Sequence, residues 1–202
     1  MDFIKTHRLP DDQYYKETIP KKNIYLHHTV GGSAVSTFNW WMQDPLKIGV
    51  AYIVERTGDI YEVFDPLYWC HHLGLKTLDN KQHNQESIGI ELASEGALIK
   101  RDDKLYAFDG KQLVHDQSVD LGYQWRGFQY FDAYEDKQVK STIVLVNYLC
   151  DRFSIPKNTV AGEKTRFDYP LVDFSGVLTH CNVRSDKTDL NPSFPFNTLF
   201  NE

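Results

Sequence analysis

The chain has few cysteines, no long apolar segment and no excess of positive charge. Its three cysteines, Cys70, Cys150 and Cys181, are odd in number and far apart along the 202 residues. That is not the pattern of a disulfide framework, so we expect reduced thiols and synthesis in the cytoplasm. The net charge of −6 argues against a general binder of nucleic acid or of an anionic membrane.

Membrane insertion is not expected either. No apolar run approaches the roughly 20 residues of a membrane-spanning helix, and residues 1–10 lack an apolar stretch of signal-peptide length. If the substrate lies outside the membrane, another protein must provide the route. We expect a single domain and a monomer, since a chain of this size buries about 70% of its unfolded surface without a disulfide or a structural metal.

Short β-rich runs predict five strands, all of them after residues 1–22. That first segment is polar and contains Pro10 and Pro20, so we interpret it as an N-terminal arm. The predicted strands are 23–28, 51–56, 60–64, 87–92 and 176–180.

Helices are predicted at 33–43 and, more firmly, at 134–153. In the second, apolar residues recur every three or four positions, at Val139, Ile143, Val146, Cys150 and Phe153. Interleaved strands and helices indicate the α/β class, with a mixed central β-sheet flanked by α-helices over residues 23–202.

Residues 95–131 depart from this alternation. They contain a predicted hairpin at 100–111 and an aromatic cluster of Tyr123, Trp125, Phe128, Tyr130 and Phe131. We interpret the segment as an elaboration beside the functional site. The aromatic residues could equally form a small core of their own, since such clusters serve packing more often than ligand binding.

Histidine and acidic residues have the spacing of a catalytic metal site. His180 and Asp189 lie close together near the end of the chain, and His27 and His28 lie far upstream. Catalytic zinc usually takes three protein ligands and leaves a fourth position to water. Side chains alternate between the faces of a strand, so His27 and His28 cannot both bind one metal, and Cys181 cannot readily join His180. The alternation leaves open which histidine of the pair binds, and each histidine alone could be a hydrogen-bonded residue at a strand end.

Four blocks, in this order, carry a resemblance to a known family. They are IYLHHTVGG at 24–32, AYIVERTG at 51–58, ESIGIEL at 86–92 and LTHCNVRSDKTDLNP at 178–192. Together they resemble the zinc-dependent N-acetylmuramoyl-L-alanine amidases of type 2, a family that includes amidase-type phage lysozymes and peptidoglycan recognition proteins. The similarity runs from about residue 23 to residue 194, with 95–131 as its main departure.

The resemblance assigns roles to single residues. It implies that His27, His180 and Asp189 bind Zn²⁺, which selects His27 over His28. It also implies that Glu91 is the catalytic base and that Lys187 stabilises the oxyanion. Without it, Glu91 would be a polar residue on the wet face of a strand and Lys187 a solvated surface lysine.

This chain departs from the phage lysozymes at one position, and four other residues are candidates for the walls of the substrate groove. The catalytic tyrosine that phage lysozymes have in the second block aligns with Val50, directly before residues 51–58 of this chain, which leaves the base to Glu91. For the substrate groove, His72 and Gly74 match the family's His-x-Gly element, and Trp69 and Asn84 are further candidates. Trp69 could instead belong to the core and Asn84 to a turn.

The implied reaction is hydrolysis of the amide between N-acetylmuramic acid and L-alanine, in peptidoglycan or in a muropeptide. A lytic enzyme of the phage endolysin type is favoured because no export signal or wall-binding domain is visible. It would act on the cell wall after release by a separate protein. A cytoplasmic amidase that recycles muropeptides, a recognition module that binds without cutting, and a zinc hydrolase of another amide are the alternatives. The complete set of ligands and catalytic residues disfavours the recognition module.

Overall fold

The computed structural model describes residues 4–111, 117–162 and 174–200. The strands in these ranges are β1 (Ile4–Thr6), β2 (Asn23–His28), β3 (Tyr52–Val54), β4 (Ile60–Glu62), β5 (Ser87–Leu92), β6 (Ala97–Arg101), β7 (Lys104–Tyr106), β8 (Ser118–Trp125), β9 (Phe128–Asp132) and β10 (Gly176–Thr179). The helices are α1 (Ala34–Trp41), α2 (Asn80–Gln85), α3 (Asp136–Phe153) and α4 (His180–Val183), with a 3₁₀ turn at Phe196–Thr198. The five predicted strands and two predicted helices are confirmed. Strands β2 and β5 have the predicted bounds, and the other elements are one to three residues shorter than predicted.

A six-stranded mixed sheet in the order β1-β4-β3-β5-β2-β10 forms the centre of the molecule. The pairs β3·β5, β5·β2 and β2·β10 are parallel, so the carboxyl ends of these strands lie at one edge. Strand β2 is buried along its whole length, as expected for a strand with both faces covered. The register pairs His27 with Glu91 and Leu26 with Thr179, the residue before His180. His27, Glu91 and His180 therefore lie at the same edge of the sheet.

Alternation along β2 divides its side chains between two separate apolar clusters. Ile24 and Leu26 face the main core, together with Leu145 and Leu149 of α3. Tyr25 faces the other side, where it packs with Leu73 and its neighbours. Because His27 is two residues from Tyr25, its side chain leaves the sheet on this second side.

Helix α3 packs on the main core along a stripe shifted slightly from the predicted one. Its buried residues are Gln138, Thr142, Leu145, Val146, Leu149 and Cys150, whereas Val139, Ile143 and Phe153 lie at the edge of the stripe and are partly buried. Gln138 Nε2 donates to the carbonyl oxygens of Val54 at 3.0 Å and Ala93 at 2.9 Å. The helix is thus tied by hydrogen bonds to the ends of β3 and β5.

The N-terminal segment is more integrated than a polar arm. Ile4–Thr6 forms an edge strand parallel to β4, with Ile4 opposite Ile60. Leu9 and Tyr14 are buried in the main core, and the Tyr14 ring stacks on Phe64 with 5.1 Å between centroids. A three-residue strand is too short to show a period in its side chains, so no sequence pattern predicted it.

Residues 97–132 contain a second, antiparallel sheet in the order β7-β6-β9-β8. It includes the predicted hairpin, formed by β6 and β7. Trp125 and Phe131 are buried against Cys181, whereas 42% of Tyr123 is exposed. Among the described residues, no helix is long and apolar enough to cross a membrane.

Candidate active site

His27, His180 and Asp189 form a compact buried triangle. His27 is near the end of β2, His180 follows β10, and Asp189 lies in the loop after α4. The two Nδ1 atoms are 3.1 Å apart, and Asp189 Oδ2 lies 3.1 Å from that of His27 and 3.0 Å from that of His180. Ligand atoms about 2.0–2.1 Å from a tetrahedral zinc ion are about 3.3 Å apart. The three donors therefore have the spacing and chemistry of a zinc site with one position left open.

The protonation states of these residues suit metal binding. Burial lowers the pKa of His27 to about 4, and the bond to Asp189 only partly opposes this. Burial also works against ionisation of Asp189, but His180 and His27 outweigh it and hold the pKa of this carboxyl well below its usual value. A neutral imidazole and an ionised carboxylate are the forms that bind a metal.

The Nε2 atoms of His27 and His180, which point away from the triangle, each have a hydrogen-bond acceptor. His27 Nε2 lies 3.0 Å from His72 Nδ1, and His180 Nε2 lies 2.7 Å from the carbonyl oxygen of Leu73. His72 Nε2 is in turn 2.9 Å from Ser87 Oγ, which donates to the carbonyl oxygen of His83 at 2.6 Å. If both Nδ1 atoms bind metal, both Nε2 atoms carry the proton and donate it. Such acceptors fix the orientation of metal-binding imidazoles.

His28 faces away from the triangle. Its Nδ1 lies 3.2 Å from the hydroxyl oxygen of Tyr134, which also accepts a hydrogen bond from Asn191 at 3.1 Å. The imidazole lies so close to Gly96 that a Cβ there would be 2.6 Å from His28 Nε2. Gly96 has a φ of +72°, so this contact and this turn both favour glycine.

Glu91 and Lys187 line the cleft together with the three donors. Glu91 Oε2 is buried and has no hydrogen-bond partner among the residues that the structure describes. Burial, and then the charge of Asp189, raise the pKa of the Glu91 carboxyl well above its usual value, although Lys187 acts in the opposite direction. Val50 is buried against Gly89, where a Cβ would lie 2.5 Å from Val50 Cγ1. This position therefore supplies packing and no hydroxyl group.

The cleft above the triangle has a volume of about 760 Å³. Ser36, Thr37 and Trp40 of α1 line part of the cleft. Apolar residues of the small sheet, and Phe108 just after β7, line another part; the sheet residues are Ala97, Ile99 and Phe128. The volume is within the range of about 300–1,000 Å³ typical of small-molecule sites.

The four residues predicted to contact substrate have different positions. His72 lines the cleft, but both of its ring nitrogens already have partners, with Nδ1 at 3.0 Å from His27 Nε2 and Nε2 at 2.9 Å from Ser87 Oγ. Trp69, Asn84 and Gly74 are not among the lining residues. Trp69 is 2% exposed and stacks on Tyr15, and Asn84 is fully buried. Gly74 accepts a hydrogen bond from Arg184 through its carbonyl oxygen at 3.0 Å.

Asn84 instead supports the residues that contact the candidate metal ligands His27 and His180. Its Oδ1 accepts from the backbone N–H groups of His72 at 2.7 Å and Leu73 at 3.1 Å. Sequence reasoning missed the supporting roles of Ser87 and of the Leu73 carbonyl. No local pattern marks them, because the partners come from separate segments of the chain.

The chain is similar in fold to several solved structures. The chain resembles the solved structure of PlyL, at 15% identity over 92% of this chain and 85% of that one, with a TM-score of 0.53. It also resembles the AmpD selenomethionine derivative, at 16% identity over 98% and 93% of the two chains, with a TM-score of 0.53. A third similar structure is E. coli AmiD in complex with anhydro-N-acetylmuramic acid-L-Ala-D-γ-Glu-L-Lys, at 18% identity over 91% of this chain and 58% of that one, with a TM-score of 0.56.

These likenesses show a shared fold. No curated protein sequence matches the chain significantly. The sequence profile of the family described as N-acetylmuramoyl-L-alanine amidase, however, matches residues 17–192. That range includes both histidines, the aspartate, Glu91 and Lys187. The chain therefore belongs to the N-acetylmuramoyl-L-alanine amidase family.

Proposed function

We propose that this amidase is a zinc-dependent lytic enzyme of the endolysin type, which hydrolyses the bond between N-acetylmuramic acid and L-alanine in peptidoglycan. The observation that carries the proposal is the triangle of His27 Nδ1, His180 Nδ1 and Asp189 Oδ2, with all three atoms 3.0–3.1 Å apart. The triangle lies in the wall of the large cleft, where an amide can reach it.

The residues around the triangle have separate roles in the reaction. Zinc bound there would polarise the scissile carbonyl and lower the pKa of a water molecule to about 7. Glu91, whose pKa is raised by burial, accepts the proton of the attacking water and delivers it to the amine of the departing L-alanine. Lys187 places its ammonium group beside the oxygen that gains negative charge and stabilises it. The products are a free muramic carboxylate and a stem peptide with a new amino terminus.

The shape of the cleft supports a polymeric substrate. Its rim carries apolar side chains that remain largely exposed, with 54% of Val30, 58% of Trp40 and 78% of Phe108 accessible. Such a rim can contact a glycan strand or a stem peptide that extends beyond the cleft on either side. The muramyl peptide present in the similar AmiD structure supports the chemical class of the ligand.

A paired assay on the purified protein tests the proposal. Elemental analysis gives the zinc content, and the release of L-alanine amino termini is followed from peptidoglycan and from soluble muropeptide, each with and without chelator. We expect one zinc per chain and chelator-sensitive release from the polymer. Release from the muropeptide alone would instead indicate a recycling enzyme, and bound zinc without release from either would refute amidase activity on these substrates.

A further inference from the structure

Arg126 occupies an unusual backbone position in the small sheet. Trp125 pairs with Phe128, so Arg126 and Gly127 form the two-residue turn between β8 and β9. Their φ angles are +50° and +86°. Turns of this type favour asparagine, aspartate or glycine at both positions, and a positive φ is uncommon for other residues. The turn alone gives no reason for an arginine, but the contacts of its side chain do.

The guanidinium group of Arg126 binds the loop that connects the last two metal ligands. Its Nη1 donates to the carbonyl oxygens of Arg184 at 2.8 Å and Lys187 at 2.6 Å, and its Nη2 donates to that of Cys181 at 3.0 Å. All three carbonyls lie between His180 and Asp189. Because α4 ends at Val183, the Cys181 carbonyl belongs to the last turn of a helix, where carbonyl groups lack helical partners and a cation is favourable.

Apolar packing and a backbone hydrogen bond reinforce this connection. The side chain of Cys181 is fully buried in a cluster with Trp125 and Phe131 of the small sheet. The backbone N–H of Cys181 donates to the carbonyl oxygen of Asp189 at 2.9 Å. The small sheet thus contacts the loop at Cys181, Arg184 and Lys187, and the bond between Cys181 and Asp189 closes the loop on itself.

We propose that Arg126 is a positioning residue, which holds the loop from Cys181 to Lys187 so that Asp189 faces the two histidines and Lys187 faces the cleft. The small sheet then has two roles, because it lines the cleft and also orders the loop of the metal site. The catalytic part of this inference rests on the proposed function, whereas the ordering of the loop does not.

The test compares Arg126→Ala with Arg101→Ala as a matched control. Arg101 is exposed at the end of β6 in the same sheet, with its guanidinium 5.6 Å from the ring centroid of Tyr106. Zinc affinity is measured by competition with a chromophoric chelator, and kcat and KM are measured on muropeptide and on peptidoglycan. We expect Arg126→Ala to bind zinc about 10-fold to 100-fold more weakly, as is typical when a supporting group of a metal site is lost. We also expect kcat to fall more than KM changes, and Arg101→Ala to behave as wild type.

Chemical rescue separates positioning from a general loss of stability. Methylguanidinium at millimolar concentration should restore part of the zinc affinity and kcat of Arg126→Ala and should leave wild type and Arg101→Ala unchanged. Guanidinium compounds weaken folded proteins in general, so such a recovery cannot arise from overall stabilisation. Wild-type zinc affinity and kcat in Arg126→Ala would overturn the proposal, and so would a loss that methylguanidinium does not relieve.

Two further measurements keep the test decisive. If Arg126→Ala does not fold, Arg126→Lys replaces it, since an ammonium group does not reproduce the planar fork of the guanidinium. Wild-type zinc affinity and kcat in Arg126→Lys would then refute the proposal.

If the wild-type protein neither binds zinc nor releases L-alanine, the proposed function fails. The ordering of the loop is then tested by amide hydrogen exchange. Amides 185–190 should exchange at least tenfold faster in whichever Arg126 variant folds than in Arg101→Ala, and equal rates would overturn the ordering role.

Discussion

His27 Nε2 lies 3.0 Å from His72 Nδ1, on the side of the imidazole opposite the atom that faces His180 and Asp189. Burial holds the pKa of His72 well below its usual value, so this ring is neutral and its Nδ1 can accept the proton of His27 Nε2. The further contact from His72 Nε2 to Ser87 Oγ at 2.9 Å selects this tautomer. His72 therefore orients His27 through a hydrogen bond whose direction is determined by its neighbours.

Loss of the acceptor at His72 should weaken metal binding. We expect His72→Phe to bind zinc about 10-fold to 100-fold more weakly than wild type, as measured by chelator competition. His72→Asn, whose Oδ1 can accept near the position of Nδ1, should lose less. His83→Gln is the control, since the His83 side chain pairs with Asp79, the N-cap residue of α2, at 3.1 Å. Equal zinc affinity in His72→Phe and wild type would show that the hydrogen bond does not support the ligand.

Asp189→Ala should lose metal and activity together. The substitution removes one of three buried donors and leaves two imidazoles, which hold zinc too weakly to survive dialysis. Zinc content by elemental analysis and release of L-alanine should both fall to the level of the chelator-treated wild type. Asp151→Ala is the matched control, because Asp151 is an exposed carboxylate that pairs with Lys157 at 2.9 Å. A dialysed Asp189→Ala protein with full zinc would remove Asp189 from the ligand set.

Glu91→Gln should separate metal binding from turnover. The amide keeps the shape of the side chain but cannot accept the proton of water, so we expect normal zinc content and a kcat lower by about 10²-fold to 10⁴-fold. The comparison requires rates at saturating muropeptide and the zinc content of the same sample. Full activity in this variant would exclude Glu91 as the base.

Phe108 should contribute to the binding of the polymer. It lines the cleft and is 78% exposed, and burial of such a side chain by a ligand is worth about 1.5–3 kcal/mol. We expect Phe108→Ser to raise KM for peptidoglycan about tenfold with little change in kcat. Leu78→Ser is the control, since Leu78 is fully exposed and does not line the cleft. If both substitutions raise KM equally, the effect comes from a general loss of surface hydrophobicity and not from a contact between Phe108 and the polymer.

Lys21 should make stability depend on pH in the alkaline range. Its Nζ is bonded to the carbonyl oxygens of Tyr68 and Gln85, and burial lowers its pKa from 10.5 to about 8. Between these values the unfolded chain holds a proton that the folded chain has lost, so stability rises with pH. This contribution is complete above pH 10.5 and is lost as the pH falls through about 8.

Urea unfolding of wild type and Lys21→Met at pH 7, 8, 9 and 10 isolates this effect. The free energy of unfolding of wild type should rise relative to that of the variant above about pH 8, by at most about 1.4 kcal/mol per pH unit. Below pH 8 the difference between the two proteins should be constant. A difference that stays constant up to pH 10 would contradict a lowered pKa for Lys21.

Much of the sheet and of the candidate site could be predicted from the sequence, because both depend on local patterns or on the four blocks that resemble the amidase family. Strand alternation showed that His27 and His28 face opposite sides, but the choice of His27 came from the resemblance. The structure adds a physical reason, since His28 is held by Tyr134 on the other side of the sheet. Contacts across long sequence separations were not predictable. The hydrogen bond between His72 and His27 joins residues that are 45 positions apart in sequence, and those from Arg126 to the loop after His180 join residues at least 55 positions apart. No periodic pattern in the sequence predicts such contacts.

The parallel pairing of β2 with β10 links the metal site to the order of folding. His27 and His180 are 153 residues apart in sequence, although their strands are neighbours in the sheet. Pairings between such distant segments form slowly, because the chain must close a large loop before any contact stabilises it. Asp189 can join the histidines only once β10 has docked. The appearance of tight zinc binding during refolding would therefore mark the time at which the last strand joins the central sheet.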